Sequence, residues 1–96
     1  MIDKNTYANK YKFNPRNSIC VVTGGSSGIG KSLIEELHNR QAKKIINIDI
    51  KDNESNIADF INCDVSNNDE MRSVINKIYD KYNYIDLFCS NAGIAT

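Results

Sequence analysis

The 96-residue sequence has no excess charge of either sign, since 12 basic and 12 acidic residues cancel. Nucleic-acid affinity needs a basic face, and a membrane-surface patch needs clustered lysine and arginine, so neither partner is expected. No apolar run approaches the roughly 18 residues of a membrane span. The opening segment, MIDKNTYANKYKFNPRNS, lacks the apolar core and cleavage site of a secretory signal. Residues 1–17 read as a polar, mildly basic leader carrying Lys4, Lys10, Lys12 and Arg16; a docking arm is the alternative. Internal repeats and low-complexity linkers are also missing. The three cysteines, Cys20, Cys63 and Cys89, have no C-x-x-C spacing, which gives no support to a zinc site or a disulfide framework. Each lies in or beside an apolar run, so reduced, buried thiols in a cytoplasmic protein are expected. The one histidine, His38, falls on the polar side of a helical pattern and reads as a surface residue.

What is present suits one globular domain at most: 41% hydrophobic and 25% charged residues. A chain this short buries a small share of its surface and is marginal in stability. Ile19-Cys20-Val21-Val22 is a short apolar run that suits a strand buried on both faces. A helix is expected from about Gly28 to Arg40, with Ile29, Leu33, Ile34 and Leu37 on one side. Lys44–Ile50 reads as a second strand, 51–56 as a polar loop, and Ile57–Cys63 as a weaker third strand. Ser66 is the expected cap of a second helix whose core face carries Met71, Val74, Ile75, Ile78 and Tyr82. Acidic Asp69 and Glu70 would lie in its first turn, where the helix dipole favours them. Ile85–Cys89 reads as a fourth strand. Strands separated by helical patterns imply parallel pairing, so the fold class is α/β: a Rossmann-like parallel sheet of about four strands with helices on its faces.

Four of the five glycines fall between residues 24 and 30, in TGGSSGIGKS. This stretch fits two phosphate-binding patterns. Gly25, Gly30, Lys31 and Ser32 satisfy G-x-x-x-x-G-K-[ST], the loop of nucleotide triphosphatases. Thr23, Gly24, Gly28 and Gly30 satisfy T-G-x-x-x-G-x-G, a dinucleotide-binding turn. Both rest on the same physics: free backbone N–H groups and a helix dipole that favour an anion. The glycines alone therefore leave both readings open. Asp49 lies 19 residues after Gly30, at the end of the second strand. In a dinucleotide fold an acid there would hydrogen-bond the adenosine ribose and repel a 2′-phosphate, favouring NAD over NADP. A triphosphatase can use a strand-end acid for magnesium, so Asp49 by itself is suggestive.

Taken together, these residues resemble the short-chain dehydrogenase/reductase family. Thr23-Gly24-Gly25-Ser26-Ser27-Gly28-Ile29-Gly30 is similar to the family's T-G-x-x-x-G-I-G turn, and Asp49, followed by Ile50, to its NAD-selecting acid. Asp64-Val65 matches the pair that contacts adenine, and Ser90-Asn91-Ala92-Gly93 the N-N-A-G segment that lines the cofactor pocket. The resemblance covers residues 18–96 as a partial dinucleotide-binding domain. It implies cofactor contacts from Gly24, Ser26, Ser27, Gly28, Ile29 and Gly30 in the turn. Further contacts are implied from Asp49, Ile50, Asp64, Val65, Asn91, Ala92 and Gly93. Ser27 stands where many NADP-using members carry a basic residue, in agreement with Asp49.

The sequence departs from the family pattern in three ways. Ser90 replaces the first Asn of N-N-A-G. The connection from Asp49 to Asp64 is short, so the helix between strands two and three is expected to be missing or vestigial. Finally, no tyrosine has a lysine four residues later: Tyr7, Tyr11, Tyr79, Tyr82 and Tyr84 are followed there by Tyr11, Pro15, Asn83, Asp86 and Phe88. The family's Ser, Tyr and Lys acid/base set therefore has no counterpart, and no catalytic or metal-binding residue is named. The resemblance implies the N-terminal, NAD-binding part of an oxidoreductase moving a hydride between a secondary alcohol or ketone and nicotinamide, inactive alone and homo-oligomeric at full length. A non-catalytic nucleotide-binding module and a P-loop triphosphatase are the alternatives. An extended-type epimerase is a nearer rival, but spaces its glycines G-x-x-G-x-x-G.

Overall fold

A computed structural model describes residues 14–26, 28–52 and 55–91. Four strands, β1 (Ile19–Thr23), β2 (Lys44–Asp49), β3 (Asp59–Asn62) and β4 (Leu87–Ser90), form one sheet in the order β3-β2-β1-β4. All three pairings are parallel, with Val22 beside Asn47, Asn47 beside Phe60, and Val21 beside Phe88. Helix α1 (Gly28–Asn39) follows β1, and α2 (Asn68–Tyr82) follows β3. This is the α/β, Rossmann-like arrangement that the alternating pattern implies. No helix lies between β2 and β3 among the described residues.

The two sheet faces follow from strand alternation. Val21, Ile46 and Ile48 pack with Cys63 and with Val74 and Ile78 of α2. Cys20, Val22 and Ile45 pack on the other side with Ile34 and Leu37 of α1. The five residues of β1 are all buried, as a central parallel strand covered on both faces should be. Four details differ from the sequence pattern. Ile29 is 68% exposed, while Ile34, Leu37 and part of Leu33 are the α1 side chains that pack with the sheet. The third strand pairs over four residues only; Ile57 and Ala58 are apolar because they pack against the α1-side cluster, not because they join the ladder. Cys20 and Cys63 are buried, but Cys89 is half-buried, since it lies on β4, whose only pairing among the described residues is with β1. The cap of α2 is Asn67, not Ser66: Asn67 Oδ1 accepts the Glu70 amide at 3.1 Å, while the Ser66 hydroxyl is turned to Asp64.

The starts of the strands are tied by backbone bonds and by the Asp86 carboxylate. Ser18 O accepts the Lys43 and Lys44 amides at 2.9 and 3.1 Å. Asp86 Oδ2 accepts the Ile19 amide at 2.7 Å, and the Asp86 amide donates to Ile19 O at 2.9 Å. Pro15 is buried, and the Asn17 amide donates to Gln41 O at 3.1 Å, so residues 14–17 pack against the domain.

Because Asn67 satisfies an amide that α2 cannot, Asn67→Ala should lower the urea midpoint by the equivalent of about 1 kcal/mol with an unchanged slope. Ser66→Ala should leave α2 stability nearly unchanged in the same denaturation experiment.

Candidate functional site

Parallel strands deliver their C-terminal ends to one side of the sheet, and the residues singled out from the sequence collect there. From β3 to β4 they are Asp64, Asp49, the turn after β1, and Asn91. Ser27, Ala92 and Gly93 lie outside the described residues. The turn is held by β2. The Gly24 amide donates to Ile48 O at 2.9 Å, the Gly25 amide to Asn47 Oδ1 at 2.9 Å, and the Ser26 amide to Asp49 Oδ2 at 3.1 Å. The Ser26 hydroxyl donates to Lys51 O and accepts from Asn47 Nδ2 at 3.0 Å.

The glycines serve different ends. Gly24 and Gly28 have φ of 67° and 60°, where a side chain is strained. A Cβ on Gly25 would run into Ile34 Cδ1 and lie 2.5 Å from Asn47 Oδ1. One on Gly30 would strike Gly24 O and lie 2.7 Å from Asn91 Nδ2. Asn91 closes the other flank: its amide donates to Thr23 Oγ1 at 2.9 Å and its Nδ2 to Gly24 O at 3.1 Å. At Gly28, by contrast, a Cβ would meet nothing within 4 Å. Open space thus lies against the first turn of α1, whose first four amides have no intrahelical partner. That turn contains no acidic residue to offset the helix dipole.

Asp49 is half-buried, and its Oδ1 also accepts the Ile50 amide at 2.7 Å. Oδ1 also accepts the Lys51 amide at 3.4 Å, so both carboxylate oxygens are oriented and Oδ2 keeps a further lone pair. Ile50 is 65% exposed beside it, and Asn62 Nδ2 donates to Ile50 O at 3.1 Å. The neighbouring strand end is attached through the Cys63 amide, which donates to Asp49 O at 3.0 Å. Asp64 is exposed; the Ser66 hydroxyl and amide donate to its Oδ1 at 2.7 and 3.0 Å, and together they lower its pKa. Val65 instead packs against the α2-side core. Burial raises the pKa of all three thiols, which keeps them protonated and unreactive near neutrality. Among the described residues no group of His, Cys, Asp or Glu could hold a metal ion.

Asn47 and Thr23 are not among the site residues expected from the sequence, although both anchor the turn. Thr23 reads as part of the glycine motif. Asn47 carries a fainter mark, a single amide in the otherwise apolar core positions of KIINIDI. It is 2% exposed, and such a side chain persists only where its polar atoms are paired.

Two outcomes follow. Gly30→Ala should lower stability by about 1–3 kcal/mol in chemical denaturation, because the contacted Gly24 carbonyl is backbone and must shift. The depressed Asp64 pKa contributes stability above its unfolded value and loses it as pH falls through the lower folded value. In an NMR titration Asp64 should therefore titrate below the ordinary carboxylate range, and Ser66→Ala should move it upward.

Comparison with known proteins bears on the whole chain. The short chain dehydrogenase family profile (adh_short) matches residues 18–96. (+)-Borneol dehydrogenase 1 of Salvia officinalis is 36% identical over 85 residues, taking in 79% of this chain and 32% of that protein. The ligand-free aldohexose dehydrogenase of Thermoplasma acidophilum superposes with a TM-score of 0.78 at 34% identity, over 84% of this chain and 31% of that one. A short chain dehydrogenase from Leptospira borgpetersenii with bound NAD+ gives a TM-score of 0.73 at 26% identity, over 100% of this chain and 37% of that one. The chain spans about a third of the length of these relatives. No helix among the described residues is long and apolar enough to cross a membrane. The chain belongs to the short-chain dehydrogenase family, a family of oxidoreductases that use a nicotinamide cofactor.

Proposed function

We propose that this chain forms the part of a short-chain oxidoreductase that binds the adenosine and pyrophosphate of NAD. The observation that carries the reading is Asp49. It stands at the end of the strand beside the glycine turn, with both carboxylate oxygens fixed and a lone pair to spare on Oδ2. A ribose carrying free 2′- and 3′-hydroxyls can donate to it, whereas a 2′-phosphate meets an oriented negative charge. That repulsion is about 1–3 kcal/mol for unit charges some 5 Å apart. The open space at Gly28 lets a phosphate approach the backbone closely, which fits the pyrophosphate. Amides of the first turn of α1 would hold it, since those of Gly24, Gly25 and Ser26 are committed to β2. Exposed Ile29 and Ile50 offer apolar surface on either side of the site, and Asp64 would meet the adenine edge.

When bound, the nicotinamide ring accepts or delivers the hydride in the whole enzyme. The residues of this chain bind and orient; they supply no Tyr-x-x-x-Lys pair to move a proton. We assign the substrate, a secondary alcohol or ketone, and the proton transfer to parts of the enzyme outside this chain.

Calorimetric titration of the purified chain with NAD and with NADP tests the reading. NAD should bind tighter by tenfold or more, from the charge repulsion above. Asp49→Ala should bring the two affinities close together. Equal or tighter NADP binding by the unaltered chain would overturn the assignment.

A further inference from the structure

We propose that Asn47 is a positioning residue for adenosine recognition, which sets the preference for NAD by holding the turn that fixes Asp49. The proposal rests on the reading of Asp49 given above and deepens it. Asn47 sits in the middle of β2, between Val22 and Phe60, on the face packed by Ile34 and Leu37. An apolar residue would be the ordinary occupant of such a place. A buried amide is costly there unless both its ends are paired. Both are: Oδ1 accepts the Gly25 amide at 2.9 Å, and Nδ2 donates to Ser26 Oγ at 3.0 Å.

These two bonds act on neighbouring residues of the turn. They fix Gly25 and Ser26 against β2 from below. The Ser26 hydroxyl then bonds Lys51 O, and its amide reaches Asp49 Oδ2 at 3.1 Å. Among the described residues the carboxylate's other oxygen is held by the two residues that follow it, through the Ile50 amide at 2.7 Å and the Lys51 amide at 3.4 Å. Those two bonds hold Oδ1; the Ser26 amide ties Oδ2 to the turn. Asn47 thus reaches Asp49 through Ser26 without touching the cofactor. Gly25 is the partner of this arrangement, because any Cβ there would collide with the Asn47 amide group.

The test compares NAD and NADP affinity in the unaltered chain, Asp49→Ala, Asn47→Leu and Ser26→Ala. Asn47→Leu should reduce the ratio of the NADP to the NAD dissociation constant by about fivefold or more, the equivalent of one net hydrogen bond lost from the carboxylate's support. Ser26→Ala keeps the amide but cuts the hydroxyl links to Asn47 and Lys51, so it should shift the ratio the same way by a smaller factor. Loss of packing alone weakens both cofactors alike and leaves the ratio where it was. If Asn47→Leu does not fold, Ser26→Ala decides, since its side chain lies in the turn and not in the core. An unchanged ratio in the folded variants, with Asp49→Ala still abolishing the preference, overturns the role of Asn47 alone. A chain that binds neither cofactor, or keeps its preference in Asp49→Ala, overturns the cofactor reading as well.

Discussion

Three consecutive amides, those of Gly24, Gly25 and Ser26, leave the end of β1 and find their acceptors on β2. The rest of the candidate site depends on this. A buried turn with unpaired amides would be costly, and water cannot reach all of these. The first bond simply continues the parallel ladder to Ile48 O. Beyond it the strands diverge, and side chains take over from backbone: Asn47 for Gly25, Asp49 for Ser26. That substitution demands a particular set of residues. Gly25 must lack a Cβ for Asn47 to approach, Asn47 must be an amide to serve both Gly25 and Ser26, and position 49 must carry an acceptor. Gly30 is drawn in from the other side, because Gly24 O, whose amide is the first of the three, receives Asn91 and crowds the helix at Gly30.

Much of this is legible in the sequence. Strand-end residues announce themselves because parallel strands end in polar groups at a common edge, and Asp49, Asp64 and Asn91 each follow an apolar run. The core face of α2 is equally plain from helical spacing, and Val74 and Ile78 are its buried residues. What escapes the pattern is decided by local competition between similar groups. Ser66 and Asn67 are both good caps. Asp64, two residues before Ser66, captures the Ser66 amide and hydroxyl in a side-chain turn, which leaves Asn67 to cap the helix. Asn47 escapes because one amide in an apolar strand shows where a polar group is buried, but not which amide on another segment it meets. Ile29 falls on the apolar side of the pattern yet lies outside the core, because periodicity records direction around a helix, not which of its turns pack with the sheet.

The two ends of the sheet are tied in different proportions by backbone and side chain. At the strand starts, backbone bonds from Lys43 and Lys44 to Ser18, and a reciprocal pair between Ile19 and Asp86 that uses the Asp86 carboxylate once, tie β1 to its neighbours. At the strand ends the ladder gives way to side-chain bonds, which leave gaps between the points they tie. The short β2–β3 connection sharpens the contrast. With no helix following β2 among the described residues, Ile57 and Ala58 contribute the apolar cover on the α1 side, lower on the sheet. Ile50 is left exposed one residue from the acid, with its carbonyl anchored by Asn62. An exposed apolar side chain on a fixed backbone, next to an oriented carboxylate, presents apolar surface and a hydrogen-bond acceptor side by side. That pair suits a sugar-linked aromatic base better than it suits solvent. In the proposed site, with no helix between β2 and β3 among the described residues, adenosine would approach beside Ile50, whose backbone Asn62 holds.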